Sequence, residues 1–270
     1  MSDATRKGSP STAGPARPRL RLAEGPDDLR AAQALRHRAF RSGRGLAGTE
    51  GLDADRFDAR ALHLIVEDGA GGRLVGCCRM TEFRDGAEIA GGYSAQFYDL
   101  GVLAKRRGPM LEIGRVCVAP DAGEAEAAEA LRLILAGLTA HVERAGIRLV
   151  FGCSSFEGTA EEPYAAAFAL LSERHLAPRR WLPRVKAPTV VRFARGVARA
   201  AADPKAAARV MPAPLRSWLG LGGWVSDHAV VDHDLGTLHV FTGLEVRTVP
   251  PARARLLRAL AAGPRGGLPA

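Results

Sequence analysis

Residues 110–118 read MLEIGRVCV, a nearly continuous apolar run that ends just before Pro120. A run of this length predicts a buried strand. The next segment, Ala125 to Ala145, is rich in Ala, Leu and Glu and ends at Gly146, as a long helix does. Residues 147–153 (IRLVFGC) predict a second buried strand. These three segments form a central β-α-β unit, and we expect the rest of the sheet to be built around it.

The flanking sequence predicts further strands and helices on both sides of this unit. Apolar periodicity predicts strands at 19–24, 63–67, 74–80, 228–231 and 238–246, and helices at 29–41, 164–175 and, interrupted by prolines, 192–218. The order predicts an α/β fold with a mixed central sheet and helices on both faces. We expect one domain over residues 19–257, between a disordered tail at 1–18 and a frayed tail at 258–270.

Positive charge is concentrated in residues 174–216, which we call the basic block. It holds eleven Lys or Arg and one acid, Asp203, in a chain of net charge +9. The block overlaps the helical insertion predicted at about 190–220. Such a block suits an anionic membrane surface or an acidic protein, and a solvated Arg-rich face is the open alternative. Nucleic acid is not expected, because the block has few aromatic residues for base stacking and no recognised nucleic-acid motif is present.

Cysteine usage and hydropathy indicate the cellular compartment of the protein. The four cysteines form no C-x-x-C pair and lie in apolar runs, as buried residues of a reducing compartment do. The polar N-terminal segment has no apolar core typical of a signal peptide, and no run of about 18 apolar residues occurs. We therefore expect a cytoplasmic protein whose contact with the inner membrane is peripheral at most.

Two charged residues, Glu112 and Arg115, interrupt the apolar run at 110–118. Residues three apart on a regular strand point to opposite faces, but Gly114 between them favours a β-bulge that brings both to one side. Charged groups on a core strand are costly unless they are paired or used in chemistry. Two interpretations therefore stay open: a catalytic pair, or structural ion pairs to neighbouring elements.

Two other polar clusters stand out. Residues 94–100 read SAQFYDL, and residues 227–234 read DHAVVDHD. The spacing of the second cluster is compatible with a metal site. However, acids and histidines at the ends of a short strand are more typical of turns or of substrate contacts. We predict no metal.

These segments carry a resemblance to a known family. From about Leu29 to Pro250 the chain resembles the ornithine-lipid N-acyltransferases, through residues 35–40, 98–100, 111–118, 151–159, 174–178 and 221–230. The resemblance implies the GNAT N-acyltransferase fold and the transfer of a 3-hydroxyacyl group from acyl carrier protein to the α-amine of L-ornithine, which gives lyso-ornithine lipid. A fainter resemblance to acyl-homoserine-lactone synthases involves Arg36 or Arg38, Phe40, Asp55, Phe57, Asp58, Arg79, Glu112 and Arg115.

One departure from the general GNAT pattern bears on the acyl donor. GNAT enzymes usually carry a Q/R-x-x-G-x-G/A loop that holds the coenzyme A pyrophosphate at a helix N-terminus. Here residues 119–126 read APDAGEAE, with acids where phosphate would bind. We therefore expect no bound cofactor and a donor presented on phosphopantetheine by acyl carrier protein. The basic block is a candidate surface for that acidic carrier or for the membrane.

Roles follow for the candidate residues. We expect Glu112 to be the base that deprotonates the amine. Backbone N–H groups from Val116 to Val118 are the expected donors to the oxyanion. Arg115 and Arg79 are expected to bind the carboxylate of the substrate. The other expected substrate contacts are Tyr98, Asp99, Asp227 and Asp232, the three acids being candidate partners for a side-chain ammonium. Cys117 and Cys153 are poor nucleophiles if buried. The alternatives are another amino-acid acceptor, an acyl-CoA donor, or a non-catalytic membrane-binding module.

Overall fold

The computed structural model describes residues 18–42, 51–69, 71–196 and 203–263. The strands are β1 (Arg19–Leu22), β2 (Leu62–Glu67), β3 (Leu74–Phe83), β4 (Tyr98–Asp99), β5 (Met110–Val118), β6 (Leu149–Glu157), β7 (Arg184–Val185), β8 (Val190–Val191), β9 (Trp224–Asp232) and β10 (Thr237–Glu245). The α-helices are α1 (Gly25–Phe40), α2 (Glu124–Arg144), α3 (Ala165–Arg174), α4 (Phe193–Gly196), α5 (Pro204–Val210), α6 (Ala213–Gly220) and α7 (Pro251–Ala262).

Eight of these strands form one mixed sheet in the order β1-β2-β3-β5-β6-β10-β9-β8. β5 and β6 pair in parallel, and the other described neighbours pair antiparallel. β4 and β7 form a separate two-stranded ribbon. The expected α/β fold is confirmed, with the predicted β5-α2-β6 unit at its centre.

Helices cover both faces of the sheet. On what we call the front face, α1 packs over Ile65, Cys77 and Cys117, and residues 86–105 cover the middle of the sheet. On the back face, α2 packs against a cluster that includes Leu111, while α3, α5 and α6 pack against one that includes Phe156. Alternate residues of each strand therefore face two separate hydrophobic layers, as expected for a sheet covered on both sides.

The predicted insertion is present as α4, α5 and α6. Pro204 begins α5 and Pro214 lies in the first turn of α6, where the missing N–H of proline costs nothing. Asp203, the single acid of the basic block, caps α5 by accepting from the backbone N–H of Lys205 and Ala206. The prolines therefore separate the insertion into short helices, as the sequence indicates.

The predicted C-terminal boundary of the domain, residue 257, was wrong. The expected tail begins at Arg258, but this residue lies inside α7, which continues to Ala262 and packs against α2. Its sequence, PARARLLRALAA, has too many arginines for a clear apolar period. Most of the predicted tails, residues 1–17 and 264–270, lies outside the described residues. None of the described helices combines the length and apolar character needed to cross a bilayer.

The central strands β5 and β6 separate part-way along their length. They pair from Met110–Leu149 to Ile113–Gly152 and no further. Beyond that point β5 follows β3, and β6 follows β10, so the two strands diverge. Gly152 marks the last pair, where an added Cβ would lie 2.2 Å from the carbonyl oxygen of Ile113. The narrow end of the split therefore needs a residue without a side chain.

We predict that Gly152→Ala destabilises the protein by about 3 kcal/mol, at the upper end of typical overpacking costs, because the new methyl group meets rigid backbone. The matched control is Gly114→Ala on the facing strand, where an added Cβ meets nothing within 4 Å. Urea denaturation followed by circular dichroism measures both. Equal stability of the two variants would contradict the close approach at Gly152.

Candidate active site

A cavity of about 310 Å³ occupies the split. Residues 113–116 of β5 and 152–157 of β6 form its two sides. Its front part is polar, and its back part is bounded by apolar residues of the insertion; the front residues include Arg79, Tyr93, Glu112, Asp232 and His239, and the back residues are Pro212, Pro214, Leu215 and Trp218. The cavity therefore passes through the sheet and is open to two different chemical environments.

A β-bulge sets the polar wall. Cys77 pairs with Cys117 and Arg79 with Gly114, so Arg115 and Val116 together lie opposite the single residue Cys78. Arg115 has a φ of 54°, the left-handed region that a side chain rarely adopts. The bulge brings Glu112 and Arg115 to the same cavity. The predicted bulge is confirmed, although its extra residue lies one position after Gly114.

Glu112 is held by main-chain donors. Its carboxylate accepts hydrogen bonds from the backbone N–H of Tyr93 at 2.8 Å and of Ser94 at 2.7 Å, and the residue is 5% exposed. Gly92 leaves room for this approach, since a Cβ there would lie 2.9 Å from the carboxylate. Glu112 thus fastens the turn at 93–96 to β5 while it lines the cavity.

The guanidinium groups near the cavity are paired with aspartates. Arg115 donates to Asp53 at 2.7 Å, and Arg79 donates to Asp55 at 2.6 Å and to Asp58 at 2.9 Å. Arg36 of α1 joins the same network, donating to Asp58 at 2.6 Å. The structural ion pairs left open by the sequence analysis are therefore present for both Arg79 and Arg115.

Electrostatics keep Asp53 and Asp58 ionised. Burial alone would raise the pKa of Asp53, but the charges of Arg115 and Arg36 outweigh it, and the pKa is lowered. The pKa of Asp58 is likewise lowered, because hydrogen bonds and charge from Arg36 outweigh burial. Groups with lowered pKa values stabilise the folded state above their unfolded pKa and lose that contribution as the pH falls.

Four predicted contacts do not line the cavity. Tyr98 is fully buried, and its hydroxyl donates to the carbonyl oxygen of His239 at 2.8 Å. Asp99 accepts from the backbone N–H of Gly101, Val118 pairs with Gly76 of β3, and Asp227 pairs with His228 at 2.7 Å. Of the three acids predicted to receive an ammonium, the structure brings only Asp232 to the cavity.

Sequence reasoning missed several cavity residues. Tyr93 directly precedes the polar cluster at 94–100 and stacks under the Arg115 guanidinium at 4.9 Å. Thr237 and His239 alternate on β10, and both line the cavity. The one available signal was the presence of polar residues on this strand, which does not reveal their neighbours in space.

Cys153 lies in the cavity wall, next to Ser94. Burial raises the pKa of its thiol to about 12, so the thiolate is scarce at neutral pH. Burial and the neighbouring Cys77 also raise the pKa of Cys117. Among the described residues, no group of three or more His, Cys, Asp or Glu is placed to hold a metal ion.

Comparison with known proteins identifies the family. Residues 35–132 match the acetyltransferase (GNAT) domain family. The L-ornithine N(alpha)-acyltransferase of Rhodobacter capsulatus is 32% identical over 85% of this chain and 90% of its own length. The enzymes of the same name from Brucella abortus and Rhizobium meliloti are 31% and 32% identical, over 85% and 84% of this chain and 85% and 79% of theirs. The chain belongs to the L-ornithine N(alpha)-acyltransferase family.

A solved CoA-dependent acyl-homoserine lactone synthase superposes on this member of the L-ornithine N(alpha)-acyltransferase family with a TM-score of 0.48, at 14% identity, over 90% of this chain and 95% of the other.

We predict that Asp53→Asn destabilises the protein by about 3–5 kcal/mol, because it leaves buried guanidinium groups uncompensated. Asp53 is 2% exposed and pairs with Arg36, Arg41 and Arg115. The control is Asp234→Asn, which removes another partner of Arg41 but is 72% exposed and costs below about 1 kcal/mol. Chemical denaturation at neutral pH measures both.

The pH dependence of stability tests the role of the Asp53 charge. Because the pKa of Asp53 is lowered in the folded state, its contribution is present above the unfolded value of about 3.9 and is lost as the pH falls below it. The stability difference between Asp53→Asn and the unmodified protein should therefore shrink as the pH falls below that value. A pH-independent difference would mean that the Asp53 charge is not what stabilises the fold.

Proposed function

We propose that the protein transfers a (3-hydroxy)fatty acyl group from acyl carrier protein to the α-amine of L-ornithine and so forms lyso-ornithine lipid. The observation that carries this proposal is the cavity through the split, polar on the front face and apolar on the back. A polar amino acid and a fatty acyl thioester can approach each other from these two sides. The family relationship supports the choice of ornithine as acceptor.

The reaction is aminolysis of a thioester. The nitrogen of the neutral α-amine attacks the carbonyl carbon, and the tetrahedral intermediate then expels the phosphopantetheine thiolate as the amide forms. The proton lost by the amine must go to a base, and the thiolate later takes up a proton. Holding the two substrates together in the split supplies much of the rate. Since the Cys153 thiol is kept protonated by burial, direct transfer without an acyl-enzyme fits the site.

Glu112 is our candidate for the base, acting directly or through water. The carboxylate lies in the cavity wall, and its two oxygens keep lone pairs beyond those that bind the Tyr93 and Ser94 amides. The competing role is positional, because the same carboxylate holds the turn at 93–96. A base fixes the pH dependence of kcat, whereas a positioning residue affects mainly KM.

The bulge suggests the oxyanion site. Val116 lines the cavity, while Val118 is committed to the pairing with Gly76 of β3. We assign the backbone N–H of Val116 to the developing oxyanion. Arg115 and Arg79 can reach the substrate carboxylate only with the N–H groups that their aspartate partners leave free. Tyr98, Asp99 and Asp227 act at most through the residues they contact.

The donor is best explained as a carrier protein. At the N-terminus of α2, Glu126 is paired with Arg73 at 2.8 Å, and Asp121 with the same guanidinium at 3.3 Å. Glu124 adds a further negative charge in the first turn. These acids occupy the helix end where GNAT enzymes bind pyrophosphate and disfavour a coenzyme A donor. The part of the basic block in α5 and α6 offers a surface for an acidic carrier, and peripheral contact with anionic lipid uses the same charge.

Lipid mass spectrometry of a bacterium that lacks aminolipids and expresses this chain tests the reaction. We predict a new monoacylated ornithine species that disappears with Glu112→Ala and persists with Glu161→Gln, an exposed acid outside the cavity. If the species is found with both the unmodified protein and Glu112→Ala, the proposed reaction stands and Glu112 is not essential for it. No new amino-acid lipid from the folded protein, with a carrier donor present, would favour the non-catalytic membrane module.

Kinetics with purified protein test the donor. We predict that Lys205→Glu with Arg209→Glu, two exposed residues of the basic block on α5, raises KM for acyl carrier protein about tenfold and leaves KM for a short acyl-pantetheine thioester unchanged. The control is Arg253→Glu on α7, which is exposed but outside the block. Equal activity with acyl-CoA and the acylated carrier would argue against carrier recognition.

A further inference from the structure

Asp232 is a buried carboxylate in the front wall of the cavity, 5% exposed. One oxygen, Oδ1, accepts from the backbone N–H of Asp234 at 3.0 Å and of Leu235 at 3.1 Å. Within the described ranges, no Arg, Lys or His side chain forms an ion pair with it, although the arginines nearby are paired with other aspartates. A buried charge without a counter-charge is costly, so a cationic ligand would stabilise it.

Thr237 lies beside Asp232. The two residues are directly paired across β9 and β10, so their side chains lie on the same face of the sheet. The Thr237 side chain also lines the cavity and is 6% exposed. Its Oγ1 has no hydrogen-bond partner in the described part of the chain. Buried hydroxyl groups are nearly always hydrogen-bonded, so this one is available to a ligand.

His239 follows on the same face of β10, 2% exposed and again in the cavity wall. Its Nδ1 lies 3.1 Å from the Tyr98 hydroxyl oxygen, whose single hydrogen is donated to the carbonyl oxygen of His239 at 2.8 Å. Nδ1 must therefore carry the ring proton and donate it to Tyr98, because two acceptors would otherwise face each other. Nε2 is then an acceptor, and it has no partner among the residues described.

The imidazole is uncharged under physiological conditions. Burial, together with the nearby His228 and Arg115, lowers the pKa of His239 to about 3. A neutral ring with a free lone pair attracts an N–H donor, whereas a protonated ring would repel a cation. The wall therefore combines one negative carboxylate with two neutral acceptors.

We infer that Asp232, Thr237 and His239 form a subsite for the side-chain ammonium of the amino-acid substrate. Three acceptors with one negative charge match the three N–H groups of a primary ammonium. The subsite lies on β9 and β10, beyond β6 from the β5 bulge, and its three residues line the same cavity as Glu112 and Arg115. This inference rests on the proposed function and makes the site selective for a diamino acid over one with a neutral side chain.

The test compares L-ornithine with 2-aminopentanoate, which has the same carbon skeleton and no terminal ammonium. In Asp232→Asn the amide oxygen can still accept from the turn at 234–235, so the fold is preserved while the charge is lost. We expect the ratio of kcat/KM for ornithine to that for 2-aminopentanoate to fall about 100-fold. Thr237→Val, which keeps the shape, should lower the ratio about tenfold.

The control is Asp234→Asn, which removes a charge from the same turn at an exposed position. It should leave the ratio unchanged. If Asp232→Asn lowers kcat/KM for both substrates equally, the cluster serves the α-amine or the fold, and the inference is wrong. Equal use of both substrates by the unmodified protein would overturn it as well.

A binding measurement separates this inference from the proposed reaction. Calorimetry with 1,4-diaminobutane needs no acyl donor and should show binding to the unmodified protein and to Asp234→Asn, but not to Asp232→Asn. If no amino acid is acylated and this pattern of binding is still found, the subsite stands and the proposed reaction fails. If the diamine binds equally to Asp232→Asn, the subsite is excluded whatever the reaction.

Discussion

The separation of β5 from β6 after Ile113 and Gly152 is the constraint on which the cavity depends. Each strand keeps an antiparallel partner on its outer side, β3 for β5 and β10 for β6, so the sheet is not broken where it opens. The inner sides are then free to face a ligand. A split inside a sheet also connects the two faces, which a pocket on one face cannot do. The fold therefore offers a place where two substrates of different polarity can meet.

The buried ion pairs around Asp53 hold the polar side of this split in place. Arg115 adopts a left-handed backbone conformation that costs on the order of 1 kcal/mol or more, and its bond to Asp53 helps to stabilise it. Arg36 extends the network to α1. Arg79, Asp55 and Asp58 belong to the same network, so these residues are needed for the fold whatever part they take in the reaction. Arg79 and Arg115 thus serve the architecture before they serve any substrate.

The sequence predicted the features that depend on local pattern. The apolar run at 110–118, the long helix after it and the glycine beside Arg115 indicated the central unit and its bulge. The features it did not predict depend on distant contacts: Asp53 meets Arg115 across 62 positions, and Tyr98 meets His239 across 141. α7 was missed because its arginines hide the apolar period. The sequence analysis predicted the helices of the insertion but interpreted its function through charge, so the apolar wall that α6 gives to the cavity was not foreseen.

The insertion bears on two questions about the acyl donor: which molecule carries the acyl group, and from which side it enters the cavity. The acids at the start of α2 cancel the positive helix end that would otherwise attract pyrophosphate. The positive charge of the chain lies instead in the basic block, whose helix α6 also supplies Leu215 and Trp218 to the back of the cavity. The proposed site for an acidic carrier protein is the part of the block in α5 and α6, which lies on the side of the sheet with the apolar wall. The phosphopantetheine arm of the carrier would then deliver the thioester through the back of the split, opposite the polar front where the amine is held. In this proposal, charge and apolar surface on one insertion serve the same substrate: the charge attracts the carrier protein, and the apolar surface buries the acyl chain.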